Sequence, residues 1–161
     1  MREREIRRLK MTKSDMLKAI ESAEALHLEQ MQKIIAAISG EKVENPTALG
    51  KMECECGIWF YSNEDMMKRI LSPQLFNRLD KAHEKWHKEY VYIYEMFFKE
   101  EKKEGFLSKI IKRKVPKELY DKAKYYYKEL QLVTDELLYA SLSAKRRVMA
   151  LPDAKFEELE A

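Results

Sequence analysis

Glycine and proline are scarce, with four of each in 161 residues. A chain so poor in turn-formers cannot close the many tight turns of an all-β fold, so a few long helices are expected. Cysteine is scarcer still: Cys54 and Cys56 stand two positions apart and no others occur. Neighbours that close make a poor disulfide and no framework. A reducing, cytoplasmic home is expected, where such thiols more often bind metal or do redox chemistry. Long apolar runs are missing. The most apolar stretch, residues 90–98, is interrupted by Glu95 and falls far short of the ~20 residues a bilayer span needs. The charged start Met1-Arg2-Glu3-Arg4-Glu5 has no apolar segment behind it, unlike a secretory signal. A surplus of one charge is missing too: 31 basic residues face 28 acidic ones, for a formal net charge of +3. That balance gives no reading as a nucleic-acid binder. No glycine-rich phosphate loop and no internal repeat is present.

What remains is 45% hydrophobic and 37% charged, enough apolar matter for one domain with its own core. Ser14-Asp15 reads as a helix start, and Gly40 suits the position just past an end near Ser39. Between them Ile20, His27 and Ile34 recur at sevens, beside Leu17, Glu24, Met31 and Ile38. This is an apolar seam with His27 and Glu24 as its polar members. Asn45-Pro46 reads as an N-cap followed by proline at the first helical position. It predicts a short helix carrying Leu49, Met52, Cys56, Trp59 and Phe60, with a kink at Gly57 and a restart over residues 64–71. Ser72-Pro73 repeats the start signal for a helix reaching about Lys103, stopped by Gly105. Phe76, His83, Tyr90 and Phe97 form its seam, flanked by Asp80, His87 and Tyr94. A connector follows over residues 106–115. Pro116 then opens a last helix to about Arg147, with Leu119, Ala123, Tyr126, Leu130, Val133 and Leu137 on its buried face. Pro152 begins a short acidic tail.

The fold expected is all-α: a four-helix bundle with an additional long C-terminal helix. It divides into a basic lead (1–13), a helical bundle (14–104), and a connector with C-terminal helix and tail (105–161). The two longest predicted helices each reach on the order of 45 Å. A short second helix cannot cover that length, so the overhangs must pack on each other or on a second copy of the chain, and a homodimer is expected.

All three histidines of the chain fall in helical seams. His83 and His87 are one turn apart, so both rings project from one face. His27 enters from another helix, and a thiolate from the Cys54/Cys56 segment would complete four N/S donors, the set zinc favours. Three buried imidazoles without a metal would need three separate sets of partners. Helical phase, taken alone, favours Cys56 as the sulfur donor, since it shares a stripe with Leu49, Met52 and Trp59. Asp80 suits either a carboxylate that orients a ligand histidine or one placed by the helix dipole. Glu24 suits either a hydrogen-bond acceptor for His27 or a solvated position. Trp59 and Trp86 read as packing walls.

The segment Cys54-Glu55-Cys56-Gly57-Ile58-Trp59 resembles the C-x-[LF]-G-x-W signature of the chemoreceptor zinc-binding domain. The order of His27, the cysteine motif and the His83/His87 pair resembles that family over roughly residues 15–100. The resemblance implies a four-helix bundle and one zinc held by His27, Cys54, His83 and His87. It also implies a role in signalling. Two positions depart from the family: Glu29 stands where a bulky apolar residue is usual, and Cys56 where an aliphatic or aromatic one is. Against the implied ligand Cys54, Cys56 then reads as a small buried hydrophobe or a spare thiol.

Four protein ligands leave no open position for an activated water, so hydrolytic zinc catalysis is disfavoured. The function expected is a zinc-binding sensor or regulatory module, with zinc occupancy or cysteine oxidation as the signal, received by a signalling partner protein. Two alternatives stand beside it. Glu24-x-x-His27 and Glu84-x-x-His87 both match the E-x-x-H element of ferritin-like di-iron bundles, although two further inward glutamates are not evident. A zinc that is purely structural, in a dimeric adaptor, is the other. The basic lead (Arg2, Arg4, Arg7, Arg8, Lys10) and the cluster Lys109, Lys112, Arg113, Lys114 read as solvated charge rather than a membrane-surface element.

Overall fold

The computed structural model describes residues 11–99 and 114–160. They form α1 (Lys13–Ile38), α2 (Glu55–Ser62), α3 (Glu64–Leu71), α4 (Pro73–Phe97), α5 (Lys117–Ala150) and α6 (Ala154–Glu157), with a 3-10 turn at Glu158–Glu160. No strand occurs among the described residues, so the all-α expectation holds. None of these helices is long and apolar enough to cross a membrane. Residues 1–10 of the basic lead, and Lys109, Lys112 and Arg113 of the second basic cluster, lie outside the described residues.

The three long helices α1, α4 and α5 carry the architecture, and the short α2–α3 pair fills one end. α5 packs along both α4 and α1, while α1 and α4 approach each other more loosely. The gap between α1 and α4 takes large side chains: Trp86 and Tyr90 are fully buried there, with His27, Gln30, His83 and His87. Two core clusters result. One joins Met31, Ile34, Trp86, Tyr90, Ile93 and Leu130. The other joins Met16, Ile20, Phe60, Met67, Phe76 and Ala144. The buried face predicted for the last helix is correct through Ala123, Leu130, Val133 and Leu137, and continues to Ala140, Ala144 and Val148. α5 therefore covers much of the length of α1 and α4 within one chain.

The ends differ from the sequence expectations for local reasons. Thr12, not Ser14, caps α1: its hydroxyl accepts from the Asp15 amide while the Asp15 carboxylate accepts from the Thr12 amide, a full capping box. Gly40 ends α1 at φ 84°, where the Glu41 N–H reaches the Ala36 carbonyl at 2.9 Å. α4 ends at Phe97 rather than near Lys103: the N–H groups of Phe98 and Lys99 both turn back to the Tyr94 carbonyl.

The largest correction lies between α1 and α2. Asn45-Pro46 does not start a helix. Asn45 sits at φ 50°, and residues 41–54 run as turns and irregular chain. Contacts with the long helices override the local signal: the Thr47 N–H donates to Gln30 Oε1 at 2.8 Å, and Tyr90 Oη–H donates to the Thr47 carbonyl at 3.0 Å. Leu49 and Met52, expected on a buried stripe, are 36% and 56% exposed. α2 starts at Glu55 with Cys54 as its N-cap, and Gly57 lies in its first turn rather than at a kink.

Candidate metal centre

Each imidazole has one ring nitrogen engaged by the protein and the other turned to a common point. His27 Nδ1–H donates to the Ala23 carbonyl, one turn back on α1, at 2.8 Å. His87 Nδ1–H donates to the Leu49 carbonyl of the irregular segment at 2.9 Å. A carbonyl can only accept, so both rings carry a proton on Nδ1, and the neutral ring then presents a bare Nε2. His83 Nδ1 lies 3.5 Å from Tyr61 Oη. That hydroxyl donates to Asp80 Oδ1 at 2.6 Å, so its oxygen is left to accept from His83. Asp80 also takes the Lys51 ammonium at 2.8 Å. Burial pulls the Asp80 carboxyl up, but the hydrogen bonds from Lys51 and Tyr61 outweigh it and hold it below the usual carboxylate range. Asp80 thus bears on His83 through Tyr61 rather than directly.

The donor atoms of His27, His83 and His87 all lie within 4.8 Å of one another, and the three residues are buried. His83 Nε2 and His87 Nε2 are 3.1 Å apart. Cys54 Sγ joins at one corner, 3.3 Å from His83 Nε2. Nitrogens at ~2.0–2.1 Å and a sulfur at ~2.3 Å from a tetrahedral zinc stand roughly 3.3–3.6 Å from one another. The short edges of this cluster are close to that spacing. Lone pairs of neutral rings facing each other repel, and a cation between them removes the conflict. The three histidine nitrogens therefore fit a zinc ion, while Cys54 Sγ, beside His83, stands at the edge of the cluster and outside the mutual 4.8 Å spacing of the imidazoles.

Electrostatics favour the deprotonated state that ligation needs. Burial, with His83 and His87 adding to it, pushes His27 down to about 4 against the pull of its Ala23 hydrogen bond. Cys54 is held well below the usual thiol range. The Cys56 thiol contributes most by hydrogen bonding to it, and His83 and His87 add to this against the penalty of burial. Cys56 is pushed up by the same hydrogen bond and by its own burial. Of the two, Cys54 is the sulfur placed at the cluster, beside His83 Nε2 and accepting from the Gly57 N–H. The helical-phase argument for Cys56 fails because residues 49–54 are not helical.

Gly57 explains the motif. A Cβ there would stand 1.6 Å from the Lys51 carbonyl oxygen, so only glycine lets the segment fold over the first turn of α2. The Gly57 N–H in turn donates to Cys54 Sγ at 3.2 Å. The N-cap place of Cys54 and the glycine three residues on are one device that aims the sulfur inward.

Other predicted residues fall outside the cluster. Glu24 pairs with Lys145 of α5 at 2.7 Å and neither touches His27 nor stands free in solvent. Glu84 pairs with Lys88 at the surface. The two E-x-x-H segments therefore bring no carboxylate to the imidazoles, and the di-iron alternative loses its basis. Glu29 lies at the surface beside Lys33, and Met31 is buried in the core instead. Trp86 is a packing wall as expected: its ring meets His27 edge-on at 4.7 Å, and its Nε1–H donates to Thr134 at 2.9 Å. Trp59 packs at the edge of the second core. Sequence reasoning missed Tyr61, Lys51, Gln30 and the Leu49 carbonyl. Tyr61, one turn after Gly57 on α2, was the only one with a local signal.

Residues 27–94 match the family model described as the chemoreceptor zinc-binding domain, a span that contains His27, Cys54, His83 and His87. No curated protein and no solved structure matches the chain.

Proposed function

Because residues 27–94 match a chemoreceptor zinc-binding domain, we propose that the chain is a zinc-binding sensor or regulatory module, with Cys54 completing a three-histidine zinc site. The observation that carries this reading is the shared tautomer: Nδ1 of each imidazole faces a protein partner, which leaves Nε2 for the ion. Zinc supplies a fourfold cross-link among α1, α4 and the start of α2. Loading would lock these elements, and loss of zinc or oxidation of Cys54 would loosen them. With four protein ligands no position is left for an activated water, so the module is read as regulatory rather than catalytic.

An exchangeable zinc is favoured over a permanent staple by one feature. A cleft of about 360 Å³ reaches the site, lined by His27, Cys54 and Cys56 beneath Gln30, Lys33 and Asn45. The receiver of the signal would be a second copy or a signalling protein in a cytoplasmic setting. α5 and its exposed Tyr125, Leu132, Tyr139 and Met149 are the element we assign to that contact. Elemental analysis and zinc titration of the purified chain test the centre, with His83→Ala beside it. About one zinc per chain is expected in the wild type, with a lower melting temperature after chelation, and much weaker binding in His83→Ala. A wild-type chain that holds no transition metal when supplied with it ends this reading. Identical thermal unfolding with and without bound zinc ends the switch.

A further inference from the structure

Cys56 stands where the resemblance places an aliphatic or aromatic residue, and the zinc site does not use it. The sequence alone argues against a bond between cysteines two positions apart; the local backbone reverses that argument. Glu55 is the first helical residue of α2. A helical residue places the Cα atoms on either side of it roughly 5.4 Å apart, inside the ~4.4–6.8 Å range of disulfides. Within a regular helix the side chains at such positions would diverge. Here Cys54 is the N-cap, with extended backbone (φ −71°, ψ 152°), which swings its sulfur over the start of the helix. Its Sγ lies 3.2 Å from the Gly57 N–H. Cys56, in the first turn, tilts its Cβ toward the same helix end. Both sulfur-bearing residues line the cleft of about 360 Å³, so a small oxidant reaches them together. Cys56 also borders an apolar cavity of about 40 Å³ between Ile20, Trp59, Leu79 and Leu137, which leaves its side chain room to turn.

We infer that Cys56 is the resolving thiol of this centre, so that oxidation by hydrogen peroxide ends in a reversible Cys54–Cys56 disulfide that expels zinc. The inference rests on the zinc reading above. In the first step Cys54 Sγ attacks one oxygen of the peroxide. The O–O bond breaks, hydroxide leaves and takes a proton from solvent, and the sulfur leaves zinc as a sulfenic acid. In the second, Cys56 Sγ attacks Cys54 Sγ: an S–S bond forms, the S–O bond breaks, and the hydroxyl departs as water with the Cys56 proton. One peroxide is reduced to two waters and two thiols are oxidised to one disulfide. Without the second thiol, the sulfenic acid lies open to further oxidation to sulfinic acid, which thiols do not reverse.

The test treats the zinc-loaded full chain and its Cys56→Ala variant with hydrogen peroxide. Released zinc is followed with a chromogenic chelator, and intact mass and peptide maps are taken before and after dithiothreitol. The wild type is expected to release zinc, to lose two hydrogens at a peptide joining Cys54 to Cys56 within one chain, and to regain zinc after dithiothreitol. Cys56→Ala is expected to release zinc but gain two oxygens at Cys54 and recover little binding. Zinc release with sulfinic acid at Cys54 in the wild type, or a disulfide joining two chains, overturns the inference while leaving the zinc site intact. A chain that never binds zinc overturns the reading beneath it, and this inference with it.

Discussion

Gly57→Ala isolates the link between backbone and metal. In an ordinary helix this exchange stabilises by roughly 0.5–1 kcal/mol, because alanine loses less chain entropy. At position 57 the added Cβ would sit 1.6 Å from the Lys51 carbonyl oxygen and 2.8 Å from its carbon. An ordinary contact at that oxygen is ~3.2 Å or more, so the segment must withdraw by roughly 1.6 Å. Helix α2 is anchored through Phe60 in the second core, whereas Met52 and Glu53 are exposed. The segment therefore yields, and the fold survives with a loss of about 1–3 kcal/mol. Cys54, three residues beyond Lys51 and with its Sγ 3.3 Å from the same Cβ, moves with it. Disturbing the residues that aim a ligand lowers metal affinity by about 10–100-fold, and displacing the ligand itself should reach the upper part of that range. Gly50→Ala is the matched control. Its Cβ meets only the flexible end of the Glu53 side chain, at 3.1–3.4 Å, so zinc affinity should hold. Competition titration against a chelator, with thermal unfolding of both metal-free variants, makes the comparison. If Gly57→Ala binds zinc as tightly as Gly50→Ala, the sulfur is not positioned by this contact and the account of the motif is wrong.

Three further outcomes follow from the same geometry. Cys54→Ala should weaken zinc binding far more than Cys56→Ala, because Cys54 Sγ is the one beside His83; equal losses in a titration would mean that the two thiols share the ion. Tyr61→Phe removes the acceptor for His83 Nδ1 and a donor to Asp80, and should lower zinc affinity about 10-fold or more with little change in metal-free stability, read by competition titration and urea unfolding. In the metal-free protein, His27 titrates near 4 when folded, chiefly because it is buried, and near 6.5 when unfolded. Between those values the unfolded chain binds a proton the folded chain refuses, so this group's contribution to stability falls as pH drops from about 6.5 to 4. It is complete above that window and amounts to about 3 kcal/mol at most. Urea midpoints across the window should show the slope in the wild type and a shallower one in His27→Phe.

The seams of α1, α4 and α5 were legible because each helix buries one face along most of its length, and a repeat at sevens survives any local disturbance. The histidines were legible for the same reason: a polar ring inside an apolar seam requires an explanation. What the sequence hid is the course of residues 41–54. Asn45-Pro46 is a sound local start signal, but a helix there would remove Thr47 from Gln30 and Tyr90, and Leu49 from His87. Those partners lie 17, 43 and 38 residues away, and no window of local periodicity contains them. Tyr61 was hidden differently. Its hydroxyl matters because α2 starts at Glu55, a boundary that only the tertiary contacts of the preceding segment determine.

The centre lies where α1 and α4 stand apart. A close helix pair would leave no room for three imidazoles, and a wide one would leave a void. Trp86 fills the difference. It is fully buried, its ring packs edge-on against His27 at 4.7 Å and against His87 at 5.0 Å, and its Nε1–H is held by Thr134 of α5. Thr134 in turn donates to the Leu130 carbonyl at 2.7 Å, which leaves its oxygen lone pairs to accept from Trp86. A turn of either imidazole therefore presses on a ring that cannot yield without breaking a buried hydrogen bond, a loss of about 1–3 kcal/mol. That makes the position of the histidines and the packing of α5 a single mechanical unit, although α5 supplies no candidate ligand and lies outside residues 27–94.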